Sequence, residues 1–302
     1  MLFVGHFSTL KMNLFLNGTI FERRMTYEIN FMDRIIRNNH PINLETRSLI
    51  SKRYKTITKA VNGDFWNSNS ETAHSKYVGS YGRGTAINVS DLDVLIELPT
   101  EEYDHFTSLT GNGPSRLLQA VKKAIQDTYP RTDVHGDGQV VVVKFSDGMK
   151  FEILPAFRNL NWLGNWDGTY IYPDSNMGGN WLSTDPKAEQ EAMSNKNGYD
   201  RSNGLLFDTC KHIRAVRANN FSSYHLSGIL IDSFVYSAIR GWHWRRPEDI
   251  SCDNNVVSYE QSLVDFYNRS SYWSIYAPGS GMKVDASKDW EVLGKVLNNI
   301  AK

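Results

Sequence analysis

Two carboxylates stand two residues apart, Asp91 and Asp93, inside the apolar run Leu92, Val94, Leu95, Ile96. On a strand that spacing puts both on the same face. Two like charges side by side need a counter-charge, and a hard divalent cation such as Mg²⁺, with its preference for oxygen ligands, supplies one. Just upstream lies Gly79-Ser80-Tyr81-Gly82-Arg83-Gly84. Gly79, Gly82 and Gly84 let backbone approach phosphate closely, and Ser80 adds a hydroxyl. N–H groups exposed in such a turn form an anion-binding concavity. A phosphate cradle beside a magnesium pair points to phosphoryl or nucleotidyl transfer. Arg83 could contact phosphate or brace the turn, and bracing is the favoured reading.

Lys76 to Leu98 reads as strand, glycine turn, strand. Ahead of it, residues 28–39 predict a helix with Ile29, Met32, Ile35 and Ile36 on one side, broken at His40-Pro41. Residues 44–61 predict a second helix, with Leu49, Ile50, Tyr54, Ile57 and Val61 inward and a polar loop after it. A third starts near Ser115, a candidate N-cap, and ends before Pro130. Gln139 to Phe145 is valine-rich and reads as a buried strand. Ser146-Asp147-Gly148 turns it back into Lys150–Leu154, which Pro155 is expected to stop. Residues 159–203 carry many Gly, Asn, Asp and Trp and read as one long loop, of a length that is usually functional or disordered. There Trp181 or Tyr172 could face a base or sit in the core. Helices are expected over 205–217, 226–242, 259–269 and 288–300. His135, His212, His225 and His243 lack metal spacing and read as structural.

Gly79-Ser80 followed by Ser90-Asp91-Leu92-Asp93 resembles the signature of nucleotidyltransferases with a polymerase-beta-like palm. The wording GSYGRGTAI…SDLDVLIELP is similar to one branch, the bacterial cyclic-oligonucleotide synthases related to cyclic GMP-AMP synthase (CD-NTases of the SMODS type). The resemblance is dense from Tyr77 to Phe157 and thinner beyond. It implies an α+β fold, a mixed-sheet palm with flanking helices plus a helical C-terminal lobe, with the active site in the cleft between. It divides the chain into an N-terminal extension (1–27), a palm with its leading helices (28–165), and a cleft loop with a helical lobe (166–302). It also implies that the 159–203 loop lines the active-site cleft, and that a third metal ligand comes from a later strand. Glu152, in the family-like phrase Phe151-Glu152-Ile153-Leu154-Pro155-Ala156-Phe157, fills that place, the alternative being a solvated face. Ser222-Ser223-Tyr224-His225 is similar to a tetrapeptide of the animal cyclic GMP-AMP synthases. By that likeness Ser223 touches donor phosphate, Tyr224 stacks on a base, and Lys211, from an upstream helix, reaches the phosphates. The connection from Lys211 to Ser223 is shorter than in those relatives. Ser223 could also cap the next helix.

The implied activity is Mg²⁺-dependent, with two ions or with Mn²⁺ in their place. It joins nucleoside triphosphates into a cyclic or short linear di- or trinucleotide messenger for antiphage defence (CBASS), whose effector and regulatory proteins are the expected partners. Competing readings are a nucleotidyltransferase that modifies a protein, antibiotic or RNA end, and an inactive nucleotide-sensing module. The three carboxylates and Gly79-Ser80 count against the sensor. Lys and Arg together equal Asp and Glu at 33 each, and the isoelectric point is near 7.1. That balance argues against gripping long nucleic acid. No apolar run suits a bilayer and no signal peptide is read in the first 25 residues, so the expected location is cytoplasmic. Two cysteines, Cys210 and Cys252, suggest neither a disulfide framework nor a metal site.

Overall fold

The computed structural model describes residues 35–87, 91–249 and 258–302. The N-terminal extension, Ser90 and Cys252 lie outside the described residues, as do positions 28–34 of the first expected helix. Positions 35–39 of that helix are described and are not helical.

The first described helix, α1 (Leu44–Trp66), starts at Asn43, whose side chain accepts from Thr46 N–H. It buries Ile50, Tyr54, Ile57 and Val61 as its periodicity requires. It also continues through the expected loop at 62–66. Asn62 is buried there, and its amide donates to the carbonyls of Ser70 and Ala73 at 2.9 Å each. Those two bonds satisfy the buried Nδ2 and tie the end of the helix to the segment before β1.

Seven strands form one mixed sheet. They are β1 (Ser75–Tyr77), β2 (Asp91–Glu97), β3 (Asp133–Asp137), β4 (Val140–Lys144), β5 (Lys150–Leu160), β6 (Trp166–Asp174) and β7 (Asn180–Thr184). Their order is β1-β2-β5-β4-β3, with β6 on β5 and β7 on β6. Only β2 and β5 pair in parallel. The connection between those two is α3 (Thr100–Ser108), α4 (Gly113–Thr128) and the β3–β4 hairpin. Asn112, not Ser115, caps α4, by accepting from Ser115 N–H at 2.8 Å.

Strand alternation splits the sheet into two faces. Leu92, Val94 and Ile96 of β2, with Phe151, Ile153 and Phe157 of β5, pack into one core with α1 and α4. The opposite parity carries Asp91 and Asp93 on β2 and Lys150 and Glu152 on β5. These four charged residues therefore share the face that the two helices leave uncovered.

The expected loop at 159–203 is instead ordered structure, and this is the largest correction. Pro155 does not stop β5. The strand passes Pro155 where β4 has already ended, at Ile153, and β6 has not yet begun, at Phe157. Pro155 stays in register with Ile96 of β2. The neighbouring Ala156 carbonyl faces β2, where it accepts from Leu98 N–H, so the missing N–H of Pro155 falls on the opposite, unpaired edge and costs little. Then come β6, β7 and α5 (Pro186–Asn197). Trp181 is a core aromatic, with its ring 5.0 Å from Tyr103 and 5.8 Å from Phe157.

A second core gathers Leu206, Cys210 and Ile213 of α6 (Leu205–Asn220), Leu230 and Phe234 of α7 (Gly228–Ala238), Leu263 of α8 (Tyr259–Arg269) and Leu293 of α9 (Trp290–Ala301). His212, expected outside the α6 stripe, is buried. Helix α7 is shorter than the expected 226–242. Among the described residues, no helix is long and apolar enough to cross a membrane.

Candidate active site

The parallel register of β2 and β5 sets Asp91 opposite Lys150 and Asp93 opposite Glu152. Each pair is two residues from the next, so all four side chains leave the sheet on one side. Lys150 Nζ lies 2.7 Å from Glu152 Oε1 and 3.2 Å from Asp91 Oδ1. Asp93 is the more enclosed of the two β2 carboxylates. Its burial, and then the adjacent Glu152, push its carboxyl up to about 6, while Arg83 pulls the other way. Asp93 and Glu152 stand opposite each other in the β2–β5 register. Asp91 is turned outward, with 57% of its side chain exposed.

The glycine turn closes over Asp93. After β1 the chain makes a single helical turn, α2 (Gly79–Gly82). Val78 N–H donates to the Asp93 carbonyl at 2.8 Å, so the turn is pinned to the strand that carries the acid. Gly79 adopts φ +57°, and a Cβ there would overlap the Asp93 carboxylate. Only glycine satisfies both demands. The carbonyl of Ser80 accepts from Thr85 N–H at 2.9 Å and Ala86 N–H at 3.2 Å, while its hydroxyl has no partner among the described residues. First-turn N–H groups have no intrahelical acceptor and stay available to an anion.

A buried ion cluster braces the same turn from behind. Arg83 Nε donates to Asp232 Oδ2 at 2.9 Å and its Nη1 to Glu189 Oε2 at 3.1 Å. Thr85 Oγ1 reaches Asp232 Oδ2 at 3.0 Å. Arg214 Nη1 holds the other oxygen, Oδ1, at 2.7 Å. Burial alone would raise the Asp232 pKa, but Arg214 and Arg83 outweigh it and hold it below the usual range. Bracing is thus what Arg83 does here, through α5 and α7.

Among the described residues, the remaining sequence-derived candidates make no hydrogen bond or ion pair with the three carboxylates. Lys211, on α6, lines a cavity of about 410 Å³ with Tyr81, Gly84, His40 and Arg47, and that lining contains none of Asp91, Asp93 and Glu152. Ser223 and Tyr224 follow the end of α6 and are exposed. The Tyr224 carbonyl accepts from Arg217 Nε at 2.9 Å, and Lys295 Nζ stands 5.2 Å from its ring centre. Ser223 does not cap α7, because Ser227 holds that position. Tyr172 is half-buried against the Val78, Leu95 and Tyr170 cluster.

Two features were missed by sequence reasoning. Lys150 could have been found by the same-face rule, two residues before Glu152. Asp232 was visible as one acid in the apolar helix Gly228–Ala238, but its partner Arg83 is 149 positions away.

The set around Asp93 is oxygen-only. Its three carboxyls are Asp91, Asp93 and Glu152, and the Lys150 ammonium spans Asp91 and Glu152. Such donors fit a hard divalent ion. Among the described residues, no three His, Cys, Asp or Glu side chains form a metal-ready group as they stand.

The comparisons agree with this geometry. Residues 25–197, more than half the chain, match the Second Messenger Oligonucleotide or Dinucleotide Synthetase (SMODS) domain, and the chain belongs to that family. It is a nucleotidyltransferase of the bacterial CD-NTase type. No curated protein sequence matches it. Solved structures match in fold, with a polymerase-beta-like nucleotidyltransferase architecture. The CdnE cyclic dinucleotide synthase of Elizabethkingia meningoseptica, solved with GTP and Apcpp, matches at TM-score 0.55 and 12% identity over 89% of this chain and 94% of its own. The STING-associated CdnE c-di-GMP synthase of Capnocytophaga granulosa matches at TM-score 0.60 and 12% identity over 97% and 96%. The CdnE c-UMP-AMP synthase of Rhodothermus marinus matches at TM-score 0.54 and 14% identity over 86% and 95%.

Proposed function

We propose that this chain joins nucleoside triphosphates into a cyclic or short linear di- or trinucleotide messenger in a Mg²⁺-dependent reaction, within bacterial antiphage signalling in the cytoplasm. The observation that carries the reading is the register pair Asp93–Glu152 with Gly79 packed on Asp93, which sets the glycine turn directly against the clustered carboxylates. The triphosphate ligands of the Elizabethkingia and Rhodothermus structures favour the same substrate class.

Asp91, Asp93 and Glu152 would hold the divalent ions. When bound, these would activate a ribose hydroxyl and offset charge on the leaving pyrophosphate. A three-carboxylate shell requires Asp91 to leave Lys150. Gly79 and Ser80 grip the donor triphosphate with backbone N–H groups and a hydroxyl. The ribose hydroxyl of one nucleotide attacks the α-phosphorus of another, the bond to the bridging oxygen breaks, and pyrophosphate leaves. A second attack closes a ring. Lys211, Ser223 and Tyr224 are proposed nucleotide contacts. Lys211 lines one cavity with Tyr81 and Gly84 of the glycine turn, the place from which it would meet phosphate. The palm and helical lobe meet between Thr184 and Pro186 in this reading, since β6 and β7 pair with the palm strands.

Purified protein incubated with Mg²⁺ and labelled nucleoside triphosphates should release pyrophosphate and yield small oligonucleotides, identified by mass spectrometry. Transfer only to an added protein, antibiotic or RNA would replace this reading with the modifying-enzyme alternative. Binding without turnover would favour the sensor.

A further inference from the structure

We infer that Lys150 is a tethered counter-ion for the acid cluster, which a divalent cation must displace before Asp91 and Glu152 can ligate it. The inference rests on the metal reading of those carboxylates. Lys150 opens β5, faces Asp91 in the β2 register, and precedes Glu152 by two positions. Its one ammonium bonds both acids, at 3.2 Å to Asp91 and 2.7 Å to Glu152. That ammonium stands between the two acids and takes up a lone pair from one oxygen of each. A positive charge left beside a divalent ion also repels it.

The residue type suits displacement. A lysine carries a compact charge on a flexible stem, whereas the planar fork of arginine locks onto carboxylates. The Lys150 side chain is 31% exposed, so it has a route to water once released. Arg83, enclosed between Asp232 and Glu189, has none. An incoming triphosphate offers the released ammonium a new anionic partner. Nucleotide and metal should therefore strengthen each other's binding, and the metal alone should bind weakly.

The test is Mn²⁺ binding to the full chain without nucleotide, followed by electron paramagnetic resonance or calorimetry, in wild type, Lys150→Met, Lys150→Arg and Asp93→Asn. Lys150→Met should bind Mn²⁺ tighter by about tenfold or more, allowing for solvent screening of a part-exposed charge. Lys150→Arg should bind no tighter than wild type. In EDTA, Lys150→Met should melt below wild type, and saturating Mn²⁺ should close that gap. If Lys150→Met misfolds, Lys150→Gln serves the same comparison. Equal or weaker binding in the Met and Gln variants, with Asp93→Asn still abolishing it, overturns the role of Lys150 and leaves the metal reading intact. Absence of Mn²⁺ binding in wild type and both neutral variants overturns both.

Discussion

Two charged clusters touch the same glycine turn and are built in opposite ways. Behind the turn, Arg83 and Asp232 are buried, Arg214 and Glu189 are largely enclosed, and the four balance as two cations against two anions, with both Asp232 oxygens bonded. In front, Asp91, Asp93 and Glu152 have Lys150 as their one bonded cation among the described residues, and the most enclosed acid is pushed up to about 6. The rear cluster has closed its own accounts of charge and hydrogen bonding, so it behaves as architecture. The front cluster is left two charges short of neutrality when all its acids are ionised, and that deficit invites an external cation. Unbalanced charge held on rigid strands is a mark of function, and balanced burial is a mark of structure.

The largest expected effect separates the two. Replacing Asp91 and Asp93 with Asn should cut nucleotide incorporation by about a thousandfold or more, several kcal/mol of transition-state stabilisation, with an unchanged circular dichroism spectrum. Product formed by that variant at the wild-type rate would remove the front cluster from the chemistry.

Asp232→Asn reads the rear cluster. It leaves two guanidinium groups without their shared buried anion and should cost about 3–5 kcal/mol of stability, seen as a lowered denaturation midpoint. An unchanged midpoint would mean that the cluster holds nothing together.

The third effect reverses the sign of the second. Asp93 has a raised pKa in the folded protein, about 6, against about 3.9 unfolded. Between those values the native state binds more protons, so metal-free stability falls as pH rises through that window. Asp93→Asn should remove the decline, be more stable than wild type in EDTA at pH 7.5 by about 3 kcal/mol and so melt higher, with no advantage below about pH 4. Parallel melting curves for the two proteins from pH 4 to pH 7.5 would show that Asp93 is not strained.

The smallest effect calibrates the scale. Asp147 pairs with Arg53 at 2.9 Å on the surface, with 43% of its side chain exposed. Asp147→Asn should change stability by less than about 1 kcal/mol, and high salt should shrink even that. A loss comparable to that of Asp232→Asn would erase the distinction between exposed and enclosed pairs.

Helical stripes were legible where one apolar face runs long enough to repeat. Ile50, Tyr54, Ile57 and Val61 in α1, and Leu206, Cys210, Ile213 and Val216 in α6, are buried as their spacing demands. The β6–β7 ribbon was not. Its residues are mostly half-exposed and interrupted by Gly and Asn, so no period survives, and its pairing partner β5 was expected to end at Pro155. Of the candidate site, the Asp91–Asp93 pair and the glycine turn were readable from local pattern. Lys211, Ser223 and Tyr224 rested on likeness, because no local pattern ties them to the carboxylates.

The sequence by itself determined what neighbours along the chain must do. A period of two puts Asp91 with Asp93, and Lys150 with Glu152, on common faces, and φ near +57° demands glycine at position 79. Tertiary structure alone decided that β5 lies parallel to β2 in the register that sets Glu152 beside Asp93. It alone delivered Asp232 to Arg83 across 149 positions. The physical reason is that side-chain direction follows from local backbone geometry. Register and helix docking, in contrast, are set by burying the faces of strands and helices far apart in the chain, and no short window contains that information.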